Sequence, residues 1–215
     1  MSKNSTLVII GAGGHGRVVA DCATVTERYK EIIFLDDCFA ERKQNFHWPI
    51  VGMVEEWPHY SERADFIVAF GNNKLRQVTL KALNNANVSI TNVIHPSAVI
   101  SASVQLGKGI VVFANAVINI GAIISDGCII NTASTIDHDC VLAQCCHISP
   151  GVNIEGGVKI GALTWLGIGS SVIEYIELAE RTQTGAGAVV TKPTLANTLY
   201  LGIPAKAIGM LTVEK

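Results

Sequence analysis

Residues 129–142 read Ile129-Ile130-Asn131-Thr132-Ala133-Ser134-Thr135-Ile136-Asp137-His138-Asp139-Cys140-Val141-Leu142. Aliphatic side chains fall at 130, 136 and 142, and the same phase runs outward both ways. It passes through Ile94, Ile100, Leu106, Val112, Ile118 and Ile124 on one side. On the other it passes through Ile148, Ile154, Ile160, Leu166, Val172, Leu178, Thr184 and Val190. Only Thr184 among these positions is not aliphatic. An unbroken six-residue period is an internal repeat, and it sets the architecture. Each hexad makes one short strand and one turn, and three hexads make one triangular coil. Residues 18 apart then stack on neighbouring coils, about 4.8 Å apart. The aliphatic residue points into the prism. The residue four later also points inward and is usually small, as at Ala98, Ala116, Ala122, Cys128, Ser134, Cys140, Cys146, Thr164, Ser170 and Ala188. A narrow prism requires this alternation of large and small. About five and a half coils fit between Ile94 and Val190.

Composition agrees. The chain has 215 residues, of which 49% are hydrophobic, 16% charged and 6% aromatic, with 20 Gly. That excludes a disordered chain, and so little charge does not suit helical surfaces. A net charge of −2 gives no reason to expect a nucleic-acid or anionic-membrane partner. No apolar segment reads as a membrane span or an export signal. Six Cys without CxxC spacing then imply reduced thiols in the cytoplasm.

Residues 1–93 follow a different grammar, alternating strands and helices. Strands are expected at Leu7–Ile10, Glu31–Asp37 and Asp65–Phe70. Helices are expected after residue 13, through about Glu27, and after Asn73. This order makes a small parallel sheet flanked by helices. Gly11-Ala12-Gly13-Gly14-His15-Gly16 matches the glycine-rich turn of dinucleotide-binding units, and Asp36 and Asp37 follow at the end of the second strand. The glycines permit a tight turn, and the helix N-terminus offers N–H groups to a diphosphate. Too little chain precedes the repeat for a second mononucleotide half, so a nucleotide-activated sugar fits better than NAD. His15 serves either helix-start packing or contact with sugar or phosphate.

On the repeat, His138 falls near a corner between Asp137 and Asp139. A carboxylate neighbour can orient an imidazole for general-base work; a solvated corner His flanked by turn-capping acids is the plainer reading. His147 points outward on the face of Val111, Ile129 and Trp165, as an interface or ligand contact. Zinc would need further ligands beyond His138 and His147, so no metal is expected. Cys128 and Cys146 stack inward, as packing residues or within disulfide reach. Cys145 points outward. Outward apolar residues at Val99, Val111, Val117, Ile123, Ile129 and Val141 predict flat faces covered by self-association. Gly167-Ile168-Gly169 and Gly185-Ala186-Gly187 are either tight turns or places where a thin ligand reaches the backbone.

Taken together, a small nucleotide-binding α/β domain followed by a hexapeptide column resembles the PglD-type bacterial sugar N-acetyltransferases. The resemblance rests on Ile10 to Gly16, Phe34-Leu35-Asp36-Asp37, Gly71-Asn72-Asn73, Asn131 to Cys140, His147 to Gly151 and Gly202-Ile203-Pro204-Ala205-Lys206. It implies a Rossmann-like domain (1–93), a left-handed parallel β-helix (94–192) and a C-terminal tail (193–215). The left hand comes from the resemblance, because general crossover rules favour the opposite. It implies acetyl-CoA as co-substrate and transfer to the 4-amino group of a UDP-4-amino-4,6-dideoxy sugar, as in bacillosamine synthesis, by a cytoplasmic homotrimer. It implies His138 as general base with Asp139 raising its basicity. His147, Ile168 and Ala186 would contact acetyl-CoA, and Lys206 would reach a coenzyme phosphate or lie free. Gly13, Gly14, His15, Asp36, Asp37 and Gly71 would hold the sugar nucleotide. A sugar O-acetyltransferase, for instance on sialic acid, a GDP-amino-sugar N-acetyltransferase and a non-catalytic sugar-nucleotide sensor remain the alternatives.

Overall fold

The computed structural model describes residues 4–211. By contact, residues 4–96 with 108–111 form one unit, and 97–107 with 112–211 form another.

The first unit is an α/β domain. Its strands are β1 (Thr6–Ile10), β2 (Glu31–Leu35), β3 (Gln44–Asn45), β4 (Trp48–Gly52) and β5 (Ala64–Val68), with helices α1 (Gly14–Val25) and α2 (Asn73–Asn85). The sheet order is β3-β4-β2-β1-β5, parallel except for β3. Central β1 is an apolar run, Leu7 to Ile10, fully buried on both faces, as a central parallel strand must be. The β3–β4 hairpin is absent from the sequence reading.

Glycines set the β1–α1 turn. Gly11 sits at φ +105, and a Cβ there would lie 2.9 Å from the Phe70 ring. A Cβ on Gly16 would lie 2.0 Å from the Gly11 carbonyl oxygen. Gly16 is therefore what lets α1 start against β1. Gly16→Ala is expected to destabilise the protein by about 1–3 kcal/mol, the usual range for overpacking. Thermal denaturation of the variant checks this; an unchanged melting temperature would rule out the close approach.

The second unit is a left-handed parallel β-helix. Its two-residue strands recur every six positions. One sheet stacks Val99–Ile100, Val117–Ile118, Thr135–Ile136, Asn153–Ile154, Ser171–Val172 and Val189–Val190. A second stacks Gln105–Leu106, Ile123–Ile124, Val141–Leu142, Lys159–Ile160 and Glu177–Leu178. A third stacks Ile129–Ile130, His147–Ile148, Trp165–Leu166 and Gln183–Thr184. The expected tail extends this third sheet: Thr198–Leu201 pairs with Gln183–Thr184, and Lys206–Met210 returns antiparallel. Residues 212–215 lie outside the described residues.

The small inward position has a second property. Ser134, Ser170 and Thr182 each donate to the carbonyl three residues earlier, at 2.7–2.8 Å. Cys128 and Cys146 donate to Ala143 O, both at 3.2 Å, and Cys140 donates to Glu155 O at 3.1 Å. The position thus takes a short donor that satisfies a buried corner carbonyl, a group that is expensive to leave unpaired. All six cysteines are free thiols, and burial raises the Cys140 thiol to about 11. Cys145, expected to face outward, is buried, with φ +56 at a corner.

The outward apolar row divides. Val99 is 63% exposed and Ile123 38%, whereas Val111 and Ile129 are buried within the single chain. For Val111 the reason is visible. Its segment packs within the first unit, where Gly109 lies against Leu80 and the Val93 N–H donates to Ile110 O at 2.9 Å.

Candidate functional site

In the second unit the coil builds a histidine–carboxylate pair. His138 Nδ1 lies 2.9 Å from Asp139 Oδ2. A carboxylate only accepts here, so Nδ1 carries the hydrogen and Nε2 keeps its lone pair. Asp137 fixes the turn, accepting from the His138 N–H at 2.7 Å and from Asn119 Nδ2 at 2.8 Å. The hydrogen bond to Asp139 raises the imidazole pKa above its usual 6.5, with the charges of Asp137 and Asp139 adding to it. The pair is exposed to solvent.

Two glycines that the sequence reading missed cradle this pair. A Cβ on Gly121, 18 residues before Asp139, would lie 2.4 Å from Asp139 Oδ1. A Cβ on Gly156, 18 residues after His138, would lie 2.3 Å from His138 Nε2. The carboxylate therefore rests on the coil below and the imidazole on the coil above. Stepping 18 residues either way from the pair would have found both.

The other candidate residues of this unit sit elsewhere on the column. His147 lies on a flat face, stacked on Trp165 with ring centroids 5.5 Å apart and planes 5° from parallel. Trp165 in turn donates to Ser149 Oγ at 2.9 Å. Ile168 and Ala186 occupy the next corner on successive coils, both exposed, and Ile168 O accepts from the Gly187 N–H at 2.8 Å. Their corner differs from that of His138 by one strand of the coil. One chain thus does not bring Ile168 and Ala186 to His138. Lys206 is exposed in the final hairpin.

In the first unit the candidate residues do converge, at the C-terminal ends of β1, β2 and β5, where open α/β sheets bind ligands. Gly13 and Gly14 are exposed, and a Cβ on either would meet no atom within 4 Å. Asp36 does not point freely at a ligand. Its Oδ2 accepts from the Ala12 N–H at 2.6 Å and its Oδ1 from the Cys38 N–H at 2.8 Å. Burial alone would raise its pKa, but these bonds and the Arg42 charge hold it below the usual value. Asp37 is exposed and accepts from the Val54 N–H at 3.1 Å. Buried Asn45, which the sequence reading also missed, holds the loop from behind: its Nδ2 donates to Ala12 O at 2.9 Å and Gly13 O at 3.1 Å. Arg42 donates to the same Ala12 carbonyl. With its carbonyls tied back, the loop leaves Gly13 and Gly14 open at the start of α1, a place where backbone N–H groups suit an anion.

Desolvation lowers the His15 pKa to about 4, with the Arg76 charge contributing. His15 is therefore neutral near pH 7. Buried Arg76 donates to Phe70 O at 2.8 Å, Gly71 O at 3.4 Å and Asn73 Oδ1 at 2.7 Å, which fixes the Gly71 turn beside the loop. Among the described residues, no group of three or more His, Cys, Asp or Glu could hold a metal ion. No helix among them is long and apolar enough to cross a membrane.

Comparison with known proteins finds matches over nearly the whole chain. The PglD N-terminal domain model matches residues 6–83. UDP-N-acetylbacillosamine N-acetyltransferase of Bacillus subtilis is 30% identical over 111 residues, which span about half of this chain and 51% of that protein. The acetyltransferase domain of PglB from Neisseria gonorrhoeae, solved with acetyl coenzyme A, is 37% identical with a TM-score of 0.92; the match covers 95% of this chain and 100% of that one. A point mutant of perosamine N-acetyltransferase from Caulobacter crescentus, solved with CoA and GDP-perosamine, is 36% identical with a TM-score of 0.90. That match covers 95% of this chain and 97% of the other.

Proposed function

Because this chain belongs to the PglD-type family of acetyl-CoA-dependent sugar N-acetyltransferases, we propose that it moves an acetyl group from acetyl-CoA to the 4-amino group of a nucleotide-linked 4-amino-4,6-dideoxy sugar. The observation that carries the chemistry is the His138–Asp139 pair, with Nδ1 committed to the carboxylate and Nε2 left as a base. The neutral sugar amine attacks the thioester carbonyl. Its excess proton passes to His138 Nε2, and the collapsing tetrahedral adduct expels the thiolate, which takes that proton back. Asp139 holds the tautomer and stabilises the transient imidazolium, as the carboxylate does in other histidine-based sites. No covalent enzyme intermediate forms.

Gly13, Gly14 and His15 hold the diphosphate side of the sugar nucleotide. Gly71 lines the same end of the sheet, and Asp37 meets the nucleoside together with the turn that Asp36 braces. UDP is the preferred nucleotide, supported by the Bacillus relative; the Caulobacter structure supports GDP as the second reading. His147, Ile168 and Ala186 contact the coenzyme. Their separation from His138 on one column favours a site shared by neighbouring columns, and we assign the chain a homotrimer. Exposed Val99 and Ile123 are then covered on assembly. The free thiols fit a reducing compartment, so we place the reaction in the cytoplasm, with no metal.

The test is thiol release from acetyl-CoA with UDP-, GDP- and CMP-linked amino sugars beside their hydroxyl counterparts. The reading expects release with a 4-amino sugar on UDP. Release only with a hydroxyl acceptor would overturn it, and release only with GDP would select the second nucleotide. The base assignment has its own check. A base works unprotonated, so kcat/KM falls as pH drops through the raised pKa of His138. Asp139→Asn removes the largest cause of the rise, and the acid limb of the profile is expected to move to lower pH. A limb that stays in place would show that Asp139 does not set the basicity.

A further inference from the structure

The corner residue in left-handed conformation recurs every sixth position, from Gly109 to Gly187. Half of these corners are glycine. Where they are not, a small or polar residue usually stands, as at Asn115, Ala133 and Asp139. Tyr175 departs from this pattern, with an aromatic side chain at φ +55, where a bulky residue is unfavourable. Leu163 and Arg181, the other large residues at such corners, are half-buried against the column. Tyr175 is 73% exposed, so burial within the chain does not offset its strain. A strained residue whose ring stays largely exposed points to function.

Its position gives that function content. A Cβ on Gly157 would lie 2.4 Å from Tyr175 Cδ1, just as one on Gly156 would lie 2.3 Å from His138 Nε2. The phenol ring comes down from the coil above, and the imidazole comes up from the coil below. Both rings therefore rest on one Gly156–Gly157 corner, whose Cα atoms are about 3.8 Å apart. Tyr175 also lies in the same coil as Ile168, on the side of His138 nearer the C-terminus. Resting on the acetyl-transfer reading above, we propose that the Tyr175 ring is a wall of the coenzyme site, packing on the pantetheine arm where its thioester meets His138. The methylene and dimethyl parts of such a thin chain gain contact from an exposed aromatic face.

The test uses the full-length protein and three measurements: calorimetric binding of CoA, the KM for each substrate, and the melting temperature. Tyr175→Gly is expected to raise the CoA dissociation constant and the acetyl-CoA KM by roughly threefold to tenfold, the worth of one aromatic contact. The sugar-nucleotide KM should not follow. The melting temperature should hold or rise, because glycine relieves the left-handed strain. Tyr175→Phe should keep wild-type coenzyme binding. A Tyr175→Gly protein that binds CoA as tightly as wild type would overturn the proposal, and so would one whose sugar-nucleotide KM rises instead. If wild-type protein binds no CoA and releases no thiol with any acceptor, the acetyl-transfer reading itself fails. If wild type does both and Tyr175→Gly changes neither constant, only the Tyr175 wall fails.

Discussion

Replacing His138 by alanine is expected to lower kcat by roughly 10²–10⁴-fold, the span that general-base catalysis supplies. The reasoning is local. Nε2 is the basic atom of an imidazole whose other nitrogen is committed to Asp139 at 2.9 Å. Without it, water must take the proton from the attacking amine. The fold should survive, because His138 is exposed and its side chain fills no part of the core. Steady-state acetyl transfer by a variant that keeps the wild-type melting temperature is the measurement. Near-wild-type kcat would remove His138 from the chemistry.

Gly156→Ala should lower kcat by about a hundredfold without replacing any titratable group. The added methyl would lie 2.3 Å from Nε2 and 2.5 Å from Cε1 of His138, so the ring must swing off its seat. Displacing a catalytic group by about 1 Å can lose that much rate. The clash is with a mobile side chain rather than the backbone, so stability should change little. Intact folding with a kcat loss far larger than that of an ordinary surface substitution is the expected pairing. Wild-type kcat in Gly156→Ala would mean that the seat over Gly156 is not the working position of the imidazole. A crystal structure of the variant would show where the ring goes.

The repeat was legible because a narrow prism admits one side-chain class at each step: aliphatic at 130, 136 and 142, and short at 128, 134, 140 and 146. The glycine turn was legible because its demands are local: Gly11 turns at φ +105, and Gly16 presses on the Gly11 carbonyl five residues earlier. What stayed hidden depends on distant chain. Asn45 reaches the glycine loop from a hairpin whose β3 has only two residues and whose β4 contains Pro49. The sixfold period tells which way Val111 and Ile129 point but not what covers them, and both are buried where open faces were expected. Cys145 shows the same gap, because its corner position predicted direction and not burial. Asp36 was legible as a residue at the C-terminal end of the second strand. That both its oxygens would be spent on the Ala12 and Cys38 amides was not.

A crystal structure of the protein soaked with CoA puts the central claim to its most direct test, since that claim requires the coenzyme sulfur beside one particular imidazole. The account predicts density for the thiol within reach of His138 Nε2, above the Gly156–Gly157 corner. Coenzyme bound with its sulfur on a face or edge remote from residue 138 would contradict it.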